Sequence, residues 1–72
     1  MNIHIFAIGG KWNPIHGGSE FVGTATNVKT AQSLLDLVES KGGYAVSLHG
    51  NNISGEFSIK DARKIFETFD ED

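Results

Sequence analysis

The chain carries one segment twice, and that repetition limits its possible folds more than any other feature. Asn27-Val28-Lys29-Thr30-Ala31-Gln32-Ser33-Leu34-Leu35-Asp36-Leu37-Val38 lies over Ser58-Ile59-Lys60-Asp61-Ala62-Arg63-Lys64-Ile65-Phe66-Glu67-Thr68-Phe69. The two agree as capping residue, β-branched aliphatic, lysine, polar, alanine, two polar, two large apolar, acid, variable and apolar. Each opens with a side chain that can accept from the free N–H groups of a first helical turn, then places apolar residues at helical spacing. The first helix is expected over 28–41, capped by Asn27 or Thr26, with Val28, Ala31, Leu34, Leu35 and Val38 on its buried face. Gly42-Gly43 ends it. The second follows Ser58, with Asp61 completing an approximate capping box and Ile59, Ala62, Ile65, Phe66 and Phe69 as its stripe.

Ahead of each helix the chain reads as a pair of strands. Asn2 to Ile8 is apolar on both faces, with Ile3, Ile5 and Ala7 on one and His4, Phe6 and Ile8 on the other. Ser19 to Ala25 is a weaker strand, and Gly23 marks a bulge or a close backbone approach in it. Tyr44 to His49 alternates, with Tyr44, Val46 and Leu48 inward and Ala45, Ser47 and His49 outward. Gly50-Asn51-Asn52 forms a tight turn into Ile53 to Phe57.

The order strand, strand, helix, strand, strand, helix makes one α+β domain over residues 1–72, built from repeats 1–41 and 42–72 and closed by an acidic tail, 70–72. Two amphipathic helices without a second sheet are covered most economically side by side on one face of a four-stranded, mainly antiparallel sheet. Right-handed connections then allow the strand order 1-2-4-3, a permuted ferredoxin-like arrangement with strands one and three at the edges.

The absence of cysteine among the 72 residues excludes a disulfide framework, thiolate zinc ligands and a cysteine nucleophile. A domain this small buries only about 60% of the surface its unfolded chain exposes, so a partner or a second copy would add useful stability. No apolar run approaches the roughly 20 residues of a membrane span. Met1-Asn2-Ile3-His4 lacks the basic start of a secretory signal, and a cytoplasmic protein is expected. Nine acids against six bases leave a net charge of −3, without a field to hold a polyanion.

The first candidate site is the loop Gly9 to Gly18. Its paired glycines let backbone N–H groups approach a ligand, while Lys11, Trp12, Asn13 and His16 supply charge, stacking surface and hydrogen bonds. It lacks the spacing and the following helix of a phosphate loop, and Trp12 could equally fold back as a lid on the core. The second candidate is strand one. Read as an unguarded edge bearing Phe6 and Ile8, it offers backbone groups for strand addition by a partner protein or for closure of a homodimer.

Other chemistry has less support in the sequence. The 1-2-4-3 order separates His4 and His49 by roughly 14 Å, so with His16 they form no metal site. Glu20 and Glu56 would meet on adjacent central strands as a solvated pair of no use for acid–base work. No serine has a histidine and an acid in a recognisable arrangement, and no catalytic residue or cofactor is expected. The uncovered sheet face would carry one aromatic and up to two acids, a poor platform for nucleic acid. The sequence reads as a small non-catalytic protein-binding module or inhibitor-like accessory protein. The alternative is a ligand- or nucleic-acid-binding domain using Lys11, Trp12 and His16.

Overall fold

A computed structural model describes residues 1–10 and 20–69. The elements are β1 (Ile3–Ile8), β2 (Glu20–Ala25), α1 (Val28–Ser40), β3 (Ala45–Gly50), β4 (Ile53–Ser58) and α2 (Ile59–Glu67). They form the expected α+β architecture, a four-stranded antiparallel sheet with two helices.

The helices begin and end as their caps dictate. Asn27 Oδ1 accepts from the Thr30 N–H at 2.7 Å, and Ser58 Oγ accepts from the Asp61 N–H at 3.1 Å. At the end of α1, Gly42 adopts φ +83° while its N–H donates to Glu39 O and that of Gly43 to Val38 O, which satisfies both carbonyls. Gly10 packs against this cap. A Cβ on Gly10 would lie 2.3 Å from the Gly42 carbonyl carbon, so β1 exits against the end of α1 at backbone contact distance.

The strand order is β2-β1-β3-β4, which corrects the expected 1-2-4-3. In both orders the two repeats meet through equivalent strands. The structure pairs the first strand of each hairpin, β1 with β3, where the sequence reading had paired the second. The reason is burial. Ile3, Ile5, Ala7, Val46 and Leu48 are all fully buried, whereas the corresponding positions of β2 and β4 include Glu20, Gly23 and Gly55. The strands with the most apolar surface take the centre, and the polar and glycine-bearing strands take the edges.

The core lies between the inward face of β1 and β3 and the buried stripes of the helices: Ala31, Leu35 and Val38 from α1, and Ile59, Ala62 and Phe66 from α2. Leu34, Ile65 and Phe69 pack around it half-buried. Tyr44 departs from its expected inward position. It precedes β3 and is exposed, standing against Gly9.

Arg63 is the side chain that links the two helices. From α2 it reaches across to α1, donating to Gln32 Oε1 at 2.8 Å, Asp36 Oδ1 at 2.6 Å and Glu39 Oε1 at 2.9 Å. The hydrogen bond to Asp36 above all, and that to Glu39, raise the guanidinium pKa above its ordinary value. The planar fork of Arg63 thus ties the two helices together.

Candidate functional site

The helices cover one face of the sheet and leave the other open. Because side chains alternate along a strand, β1 contributes His4, Phe6 and Ile8 to the open face, and β3 contributes Ala45, Ser47 and His49. β4 adds Ser54, Glu56 and Ser58. On β2 the alternation is broken. Ile5 pairs with Gly23 and Phe6 with Phe21, so Val22 is the extra residue of a bulge beside the glycine expected to mark one. The bulge brings Phe21 and Thr24 to the same face although they are three positions apart.

The open face is therefore ordered in rows. One row runs Thr24, His4, His49, Ser54, and the next runs Phe21, Phe6, Ser47, Glu56. Four of these residues carry rings in mutual contact. The Phe6 and Phe21 ring centroids are 5.3 Å apart, Phe6 meets His49 edge-on at 5.7 Å, and His4 lies 6.3 Å from Phe21. Each of these is an attractive tilted or edge-to-face geometry.

The hydroxyl neighbours hold both imidazoles in place. His4 Nδ1 shares a 2.9 Å hydrogen bond with Thr24 Oγ1, and His49 Nε2 shares one of 2.7 Å with Ser47 Oγ. His49 Nδ1 lies 3.4 Å from Ser54 Oγ. Phe21, on the edge strand β2, remains 52% exposed, while Phe6, its register partner on β1, is half-buried. A large aromatic left that open, on a platform that is already ordered, can bury further surface without much loss of side-chain freedom.

Several sequence expectations change here. β1 is hydrogen-bonded on both sides, so it offers no edge for strand addition or for an edge-to-edge homodimer. Phe6 and Ile8 belong instead to the open face. His4 and His49, expected far apart, are register partners on adjacent strands. Even so, no three His, Cys, Asp or Glu side chains gather at a metal-binding distance among the described residues. Glu20 and Glu56, expected together, sit on opposite edges, and the pairing of Glu20 with Ala7 turns it away from the open face. The face that was expected to hold one aromatic, Phe6, beside His4 and His49 and up to two acids gains Phe21 and carries, among the described residues, the single acid Glu56. Lys11, Trp12, Asn13 and His16 lie outside the described residues, as does the tail 70–72.

Elsewhere, a shallow depression of about 340 Å³ is lined by Glu39, Ile59, Lys60, Arg63, Lys64 and Glu67. Charges of both signs line it, and Arg63 is already engaged by α1, which leaves little to select a ligand. No described helix is long and apolar enough to cross a membrane. No family model matches the chain, and comparisons with curated proteins and with solved structures return no match.

Proposed function

We propose that this protein is a small non-catalytic binding module that recognises another protein through the open face of its sheet. The observation that carries the reading is the ring group of Phe21, Phe6, His4 and His49, gathered from three strands on the one face the helices leave uncovered. An exposed aromatic continuous with further rings and bordered by hydroxyls suits a protein interface, which is apolar within and polar at its rim.

A second reading draws on the same rings. Aromatic side chains on a four-stranded antiparallel sheet also stack nucleobases. Its weakness is electrostatic: the described part of the face carries Glu56 and no lysine or arginine, and the chain as a whole has a charge of −3. Protein therefore ranks ahead of nucleic acid.

The two readings separate in one experiment. Tagged wild-type protein and a Phe21→Ser variant of unchanged melting temperature are used to capture proteins from source-cell lysate, and both are titrated with a fluorescent single-stranded oligonucleotide at low and high salt. A stoichiometric protein lost in the variant supports the first reading. Oligonucleotide binding that depends on Phe21 and weakens steeply with salt would replace it by the second. If neither probe distinguishes the variant from wild type, the open face is not the recognition surface.

A further inference from the structure

Among the described residues the sheet has two edges, β2 and β4, and they are not equivalent. The bulge at Val22 interrupts β2, a common device for blunting an edge. β4 pairs with β3 without a shift from Ile53 to Ser58, and Ile53-Ser54-Gly55-Glu56-Phe57-Ser58 contains no lysine, arginine or proline. We infer that β4 is a pairing edge for a second copy of this chain, aligned antiparallel about Gly55.

The register follows from the turn. Asn51 and Asn52 have φ of 54° and 68°, the double left-handed geometry of a two-residue hairpin, which makes Gly50 and Ile53 a hydrogen-bonded pair. By alternation Ile53, Gly55 and Phe57 direct their backbone groups to β3, and Ser54 and Glu56 direct theirs outward. A two-fold axis at Gly55 sets Ser54 opposite the partner's Glu56 and Glu56 opposite the partner's Ser54, joined by about four backbone hydrogen bonds. On the helix side, Ile53 meets the partner's Phe57 and Phe57 meets the partner's Ile53. Both side chains are half-buried at the margin of the core, and both would lose their remaining apolar exposure.

Two further features suit this alignment. Gly55 faces the partner's Gly55 at the centre, where the non-hydrogen-bonded pair brings the strands closest and the absence of Cβ allows it. The one charged side chain on the strand meets a hydroxyl, not its own copy, so no like charges stand directly opposite. The product is one continuous sheet with all four helices on one side and two ring-bearing faces on the other. It presents the proposed recognition surface twice, although the pairing itself does not depend on that reading.

The register makes a prediction of opposite signs. Substituting Ser54, an exposed residue, changes the group facing the partner's Glu56 twice per dimer. Ser54→Lys should tighten association and Ser54→Glu should weaken it, each by roughly fivefold. Mass is measured by light scattering from micromolar to millimolar protein, starting from 7.8 kDa for one chain. In wild type it should rise towards twice that value, with the two variants shifting the midpoint in opposite directions. Amide exchange of wild type should slow at Ser54 and Glu56 as concentration rises, and remain unchanged along β2. A mass that never rises, variants that shift the midpoint in the same direction, or protection confined to β2 would each overturn the inference.

Discussion

Both faces of β1 come from six consecutive residues, yet they have opposite fates. Ile3, Ile5 and Ala7 are fully buried beneath the helices, while His4, Phe6 and Ile8 face a surface that none of the described elements covers. The covered face is held by volume. Its residues pack against Leu35, Val38 and Phe66, and any loss leaves a void. The open face is held by ring edges and hydroxyl–imidazole hydrogen bonds, which tolerate change in the isolated molecule. Substitutions on the covered face should therefore report on stability, and those on the open face on binding.

The largest effect expected is from Phe66→Ala. Phe66 is the largest fully buried side chain among the described residues, and its truncation should remove roughly 3–5 kcal/mol, enough to unfold much of a small domain at room temperature. Urea denaturation followed by circular dichroism measures it, and a loss below that of an exposed substitution would break the contrast between the faces. Next comes Gly10→Ala. The added methyl meets the backbone of Gly42 and Gly43 at 2.3–2.5 Å in a left-handed conformation, so a loss of about 1–3 kcal/mol is expected in the same assay.

Arg63→Ala should remove about 1 kcal/mol, since its partners are exposed and screened by solvent. High salt should narrow the gap from wild type, and Arg63→Lys should recover only part of it, because an ammonium cannot reproduce the fork. The smallest stability effect belongs to Phe21→Ser, below about 1 kcal/mol for the loss of its contact with Phe6. This variant sharpens the comparison most: a large loss of stability would make Phe21 part of the core and remove it from the recognition surface.

Much of the local structure was readable from the residues. The capping asparagine and serine, the apolar spacing of both helices and the Asn-Asn turn each depend on neighbours within a few positions, and the structure keeps them. The candidate site was less legible. Phe6 and Ile8 were singled out, but as part of an edge, and Phe21 was not singled out at all. The signal that bears on it is Gly23: a bulge there reverses the alternation, so that Phe21 joins the face of Thr24 and Phe6. A period-two reading without the bulge sends Phe21 and Thr24 to opposite faces.

By itself, the sequence determined the kind and order of the elements and the layer of helices over a sheet, because propensity, capping and amphipathic period act over a few residues. Which hairpin strand became central was decided only in the tertiary structure. That choice compares the apolar surface of whole strands against two helices at once, and it favoured β1 and β3 because theirs is the face that can be buried without glycine or charge. The ring group on the open face follows from the same choice. Only with β1 in the centre can His49 on one neighbour and Phe21 on the other both reach Phe6.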